Sequence, residues 1–249
     1  MSLADAPGPG HPALPEGQLL YAVGDIHGRL DLLQAMLGLI EADARNSAHS
    51  KRRTLVFLGD YVDRGPDSRG VVDLLLGNLP REFDAHFLKG NHEAILLDFL
   101  EDAWRLDHWL RNGGGLTMQS YGVDTERLTR LAAPADVWQQ AFAEALPAAH
   151  LRFYQGLELN VSFGDYFFVH AGVRPGIPLE AQSEADLFWI RAPFLNHPGP
   201  LGKLVVHGHT PEPAPVTRSN RIGIDTGAVF TGRLTALRLE GGSRNFLQT

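Results

Sequence analysis

The chain has 249 residues, with 22 basic against 29 acidic side chains, a net charge of -7, 44% hydrophobic residues and no cysteine. The missing cysteine excludes disulfides, zinc–thiolate sites and every thiol nucleophile, and the acidic balance argues against nonspecific binding to a nucleic-acid backbone, which relies on Lys and Arg. No apolar run approaches the ~18 residues of a membrane span and no basic-then-apolar secretion signal opens the chain, so a cytoplasmic location is expected.

Residues 1–17 are rich in Pro, Gly and Ala without periodicity and read as a flexible leader. That leaves residues 18–249 as a single domain, near the upper limit of one core. Residues 19–23 form an apolar run ending at Gly24-Asp25, after which Leu30, Leu33, Leu37, Ile40 and Ala44 recur at helical spacing. The same order of strand, loop and helix returns at 54–58, 59–65 and 68–76, and again at 85–88, 90–92 and 94–100. Three such units predict an α/β fold with parallel pairing. Residues 104–155 differ: Trp104, Trp109, the triplet Gly113-Gly114-Gly115 and a segment opened by Pro134 and closed by Pro147 read as a helical insertion. Strand-like runs then follow at 157–161, 166–169, 203–206, 221–224 and 234–239, with no internal repeat and no linker to a second domain.

The strand ends carry the chemistry. Gly24-Asp25-Ile26-His27-Gly28, Gly59-Asp60-Tyr61-Val62-Asp63-Arg64-Gly65, Gly90-Asn91-His92-Glu93, His170-Ala171-Gly172 and His207-Gly208-His209-Thr210 each follow an apolar run. In open α/β sheets ligands bind at the carboxyl ends of strands, so these loops can converge on one crevice. The donor set is carboxylates, one amide and imidazoles, which suits divalent Mn, Fe, Zn or Mg. An aspartate can bridge two cations, so Asp60 with Asp25 and His27 on one side and Asn91, His170 and His209 on the other predicts a two-metal site. Each motif alone is weak; the ordered set is specific.

In order and wording the set resembles the phosphoprotein phosphatase family of binuclear metallophosphoesterases, whose blocks read GDxHG, GDxVDRG, GNHE, HAG and a late GHT. The resemblance runs from about residue 19 to 230. It implies a calcineurin-like sandwich of two mixed β-sheets flanked by helices and two divalent metal ions, Mn2+ first, with Fe, Zn or Mg as alternatives. Asp25, His27 and Asp60 would hold the first ion, and Asp60, Asn91, His170 and His209 the second. His92 falls on the family's general acid, Asp63 on the carboxylate that orients it and Arg64 on a phosphate clamp; Arg191 is the candidate for a second clamp, with Arg174 the alternative. The implied reaction is attack on a phosphoester by hydroxide bridging two cations roughly 3.5–4 Å apart, with His92 protonating the leaving oxygen.

Among the remaining residues, Asp31 and Asp67 are expected to cap helices, Glu93 is either a first-turn charge or a hydrogen-bonding support, and Tyr61 packs or lines a rim. His207 lines the pocket, Asp225 belongs to a turn or to the end of the site, and Trp104, Trp109 and Trp189 are expected in the core. The Gly113–Gly115 segment is either a connection or a lid. The expected activity is a protein serine/threonine phosphatase acting on phosphorylated protein or a small phosphoester. The alternatives are a symmetrical diadenosine tetraphosphate hydrolase producing ADP, and a binding module that kept the fold and lost catalysis.

Overall fold

The computed structural model describes residues 12–47 and 52–249. The strands are β1 (Gln18–Val23), β2 (Arg52–Phe57), β3 (Phe83–Phe87), β4 (Asn160–Phe163), β5 (Tyr166–Val169), β6 (Leu204–His207), β7 (Val216–Thr217), β8 (Arg221–Gly223), β9 (Thr235–Glu240) and β10 (Ser243–Gln248). They form two five-stranded mixed sheets, ordered β10-β9-β1-β2-β3 and β4-β5-β6-β8-β7. Within them β1, β2 and β3 are parallel, as are β5, β6 and β8. Their carboxyl ends therefore open on common edges.

Period-two alternation assigns each side chain of β1 and β2 to a layer. Leu20, Ala22, Val56 and Leu58 face the second sheet and pack with Tyr166, Phe168, Val206 and Ile222. Leu19, Tyr21, Val23, Leu55 and Phe57 face the opposite way and meet helices. These include α1 (Leu30–Arg45), α2 (Ser68–Gly77) and α3 (Asn91–Glu101). Both faces are covered, which is why these strands read as unbroken apolar runs. On the far side of the second sheet, Phe167, Val169 and Val205 pack with Leu187, Phe188 and Phe194.

Between β3 and β4 the chain is helical: a 3₁₀ turn at Ala103–Arg105, then α4 (Leu106–Arg111), α5 (Gly114–Ser120), α6 (Thr125–Arg130), α7 (Ala135–Ala145) and α8 (Ala148–Gln155). Trp109, Met118, Trp138 and Phe142 from this region join the core that lies over the first sheet. Three short helices complete the fold, α9 (Glu184–Trp189), α10 (Ala192–Leu195) and α11 (Ala228–Thr231). Among the described residues, no helix is long and apolar enough to cross a membrane.

Several expectations are corrected. The leader was expected to be flexible through residue 17, and residues 1–11 of it lie outside the described residues. Leu14 is anchored, 4% exposed within the inter-sheet core, and its N–H donates to Gly241 O at 2.9 Å, whereas Pro15, Glu16 and Gly17 are exposed. The Tyr166 hydroxyl donates to Pro12 O at 3.1 Å. Trp104, expected in the core, is 90% exposed, because it sits on the short 3₁₀ turn outside the packed faces of the helices. The third helix begins at Asn91 rather than Ala94, since Glu93 reaches back to accept the Gly90 N–H at 2.9 Å. Strands β7 and β10 were not anticipated; neither contains a fully buried residue, although Leu247 of β10 packs against the core over the first sheet.

Candidate metal centre

The parallel strands bring the predicted loops to one place. Asp25 and His27 follow β1, Asp60, Asp63 and Arg64 follow β2, and Asn91 and His92 open α3 after β3. His170 follows β5, His209 follows β6 and Asp225 follows β8. All of these except Arg64 are buried. Asp60 lies at the middle: Oδ2 is 3.5 Å from His27 Nε2 and 3.9 Å from His92 Nε2, while Oδ1 is 3.4 Å from His170 Nε2. Two groups of possible donor atoms share it, His27, Asp60 and His92, and Asp60, His170 and His209, with atoms in each group within 4.8 Å of one another.

Hydrogen bonds on the far side of the rings fix which nitrogen faces inward. His27 Nδ1 lies 2.9 Å from Val62 O, and His170 Nδ1 lies 2.9 Å from Leu58 O. A carbonyl only accepts, so each Nδ1 carries the proton and each Nε2 presents a lone pair to the centre. The His170 lone pair then faces Asn91 Oδ1 at 2.9 Å and Asp60 Oδ1 at 3.4 Å. Acceptor facing acceptor is repulsive unless a cation lies between them. Asp25 adds to the same argument: Oδ2 accepts the His209 N–H at 3.0 Å, but its buried Oδ1 has no partner. Only glycine fits beside it, because a Cβ on Gly208 would sit 2.0 Å from that oxygen. The donor set and its unpaired atoms fit divalent cations.

Electrostatics of the protein residues agree. Burial, followed by the charges of Asp225 and Asp60, pushes the Asp25 carboxyl well above its usual range. Burial raises Asp225 to about 6. Burial pushes His27 and His209 down to about 3, keeping both imidazoles neutral and able to ligate. His92 goes the other way: burial disfavours its charge, but the Asp60 and Asp63 carboxylates outweigh it and raise its pKa.

His92 Nδ1 lies 2.7 Å from Asp63 Oδ2, and its buried Nε2 has no partner. Arg64 reaches His27 Nε2 at 3.0 Å, and Arg191 Nε donates to His209 Nε2 at 3.2 Å. Both guanidinium groups therefore border the centre. Arg174 does not, since it is exposed and bonded through Nε and Nη2 to Asp186. Among the described residues, five of the six non-glycine positions with positive φ are His27, Asp60, Asp63, Arg64 and His209. Such backbone is costly, and its concentration here marks a site held by its surroundings.

Glu93 takes the supporting role. Buried, it accepts the backbone N–H groups of Asp60 at 2.9 Å, Tyr61 at 2.7 Å and Gly90 at 2.9 Å, fixing two of the candidate ligand loops at once. Burial and the charge of Asp60 raise its pKa to about 8. Tyr61 is buried, with its hydroxyl donating to Leu88 O at 2.8 Å. Asp67 caps α2 by accepting the Gly70 N–H at 2.7 Å, whereas Asp31 pairs with Arg29 and caps nothing. Trp189, expected in the core, is 43% exposed beside the centre, its ring 6.0 Å from that of His209. The glycine segment forms no open loop: Gly113 precedes α5, and its carbonyl meets the Arg64 N–H at 3.5 Å. Trp109 is in the core as expected, but its indole N–H lies 3.1 Å from both oxygens of Asp63, a contact no local motif announces.

The buried cluster of carboxylate, amide and imidazole donors, bordered by two arginines and an unpaired imidazole nitrogen, could hold divalent cations. Residues 19–234 match the calcineurin-like phosphoesterase family, and the chain belongs to it. It is 32% identical to serine/threonine-protein phosphatase 1 of Salmonella typhimurium over 89% of this chain and 92% of that one. It is also 26% identical to an asymmetrical bis(5'-nucleosyl)-tetraphosphatase of Oceanobacillus iheyensis, covering 87% of this chain and 86% of the other. A solved structure provisionally named a diadenosine tetraphosphatase shares the fold at TM-score 0.63 and 23% identity, over 94% of this chain and 95% of that one. The chain is a metallophosphoesterase, a hydrolase of the phosphatase family.

Proposed function

We propose that this hydrolase is a phosphomonoesterase acting on phosphoserine and phosphothreonine in proteins, with His92 as its general acid. The observation that carries the acid is the unpartnered Nε2 of a buried histidine whose Nδ1 is bonded to Asp63 at 2.7 Å. Asp25, His27 and Asp60 would hold one divalent ion and Asp60, Asn91, His170 and His209 a second, Mn2+ being the proposed metal. Bound there, the ions neutralise phosphoryl oxygens and acidify water. Arg64 and Arg191 grip the remaining phosphoryl oxygens, for which a planar guanidinium offers two parallel donors. As a water oxygen adds to phosphorus and the ester P–O bond breaks, His92 passes its Nε2 proton to the leaving oxygen, a contribution of ~10²- to 10⁴-fold. Asp63 stabilises the charged ring until that transfer.

The tetraphosphatase relative supports a second reading, hydrolysis of a dinucleoside tetraphosphate. That relative is named asymmetrical, whereas the sequence alone led to the symmetrical cut. Rates on a phosphothreonine peptide and on diadenosine tetraphosphate, measured side by side with Mn2+, separate the two readings. A strong preference for the peptide is expected. Preference for the dinucleotide would replace the first reading by the second, and the products, ADP alone or ATP with AMP, would define the cut.

A further inference from the structure

The carboxylate of Asp63 is held from more directions than a pairing with His92 explains. Oδ2 accepts from His92, the Trp109 indole N–H is shared between both oxygens, and the Thr117 hydroxyl donates to Oδ1 at 2.6 Å. Thr117 Oγ1 also accepts the backbone N–H of Asp63 itself at 2.9 Å and lies 3.0 Å from Ser68 Oγ. Asp63, Trp109, Thr117 and Ser68 are all buried. The indole cannot swing away: its ring packs 4.9 Å from those of Phe99 and Phe142 and lies flush on Gly114, where a Cβ would stand 2.4 Å from it.

We propose that Trp109 and Thr117, on helices of the insertion, are positioning residues that fix the plane of the Asp63 carboxylate and through it aim Nε2 of His92 at the leaving group. This rests on the reading of His92 as the general acid. The terminal torsion of an aspartate is broad, so a carboxylate bonded through one oxygen can rotate and carry the imidazole with it. Donors on both oxygens remove that freedom. A proton donor misplaced by about 1 Å loses on the order of 10²-fold, so the insertion acts on the chemistry without touching substrate.

The test uses the Mn2+-loaded protein with phenyl phosphate, whose leaving group needs a proton, and 2,4-dinitrophenyl phosphate, whose leaving group does not. Thr117→Val, which keeps shape and removes the hydroxyl, and Trp109→Phe, which keeps a ring and removes the N–H, are compared with His92→Asn. Both are expected to lower kcat on phenyl phosphate by on the order of 10-fold, with KM unchanged and little change on the dinitrophenyl ester. Thr117→Ser should restore the rate, and adding Thr117→Val to His92→Asn should cost nothing further. If His92→Asn shows the leaving-group dependence while the other two slow both esters alike, or neither, the positioning role is overturned and the acid stands. If His92→Asn itself slows both esters alike, the acid falls and the positioning role with it. Melting curves accompany each variant, and should Trp109→Phe fail to fold, the contrast between Thr117→Val and Thr117→Ser decides.

Discussion

His207 lies two positions from the ligand candidate His209 and does different work. Its buried ring has Nδ1 3.0 Å from Gly208 O and Nε2 3.2 Å from Arg221 Nη1. The first contact needs a proton on the ring and the second needs a lone pair, so the neutral form is satisfied and a second proton has no acceptor. Burial pushes its pKa down to about 3. In the unfolded chain it titrates near its ordinary value of 6.5. Its contribution is therefore complete above that pH and declines as pH falls toward about 3, because only the unfolded chain takes up the proton. His207→Asn should flatten the fall of stability with acid by up to one proton, about 1.4 kcal/mol per pH unit. Urea denaturation at pH 7 and pH 5 in EDTA checks this, and equal slopes in both proteins would count against it. His207 and His209 look alike in the string His207-Gly208-His209; only their surroundings separate a ring facing Arg221 from one facing Asn91.

The join between α4 and α5 shows how an element's end can serve a distant loop. Gly113 has φ of +99°, and a Cβ there would lie 2.6 Å from the backbone nitrogen of Arg64. Gly122 has a similar φ of +91° but nothing within 4 Å. Gly122→Ala should therefore cost only the left-handed backbone, about 1–2 kcal/mol. Gly113→Ala should cost more and also slow turnover by displacing Arg64; chemical denaturation and phosphatase assays on the pair separate the two effects. Equal stability and full activity in both variants would remove the close approach as the reason for this glycine. The triplet announced a special backbone in the sequence, but a lid and a tight junction ask for the same glycines. The packing against Arg64 and the Trp109 ring distinguishes them.

The two sheets meet at the centre. Asp25, His27, Asp60 and Asn91 come from loops of the first sheet, His170 and His209 from loops of the second. Cations bound there would tie the layers together, so chelation should lower the melting temperature. Ligand at 100 times its dissociation constant stabilises by about 2.7 kcal/mol. Because the oxygens of Asp60 face both donor groups, Asp60→Asn should reduce bound Mn2+ from two ions per chain toward none, while Asp25→Asn should retain one. Elemental analysis of the purified variants checks the difference, and two ions retained in both would remove Asp60 as the bridge.

The strand, loop and helix order and the candidate ligand loops could be read from the chain because both are local. Apolar runs fall between glycine-flanked polar residues, and each candidate ligand lies within a few positions of a strand end. The support of Asp63 could not be read, since Trp109 and Thr117 stand 46 and 54 positions away from it and a buried tryptophan looks the same whether or not its N–H has a task. Leu14 was equally silent, an isolated apolar residue among prolines that finds its place only between two finished sheets. Nearby residues reveal which side chains can hold a metal. Which of them meet, and what holds them in place, depends on contacts between layers that separation along the chain does not encode.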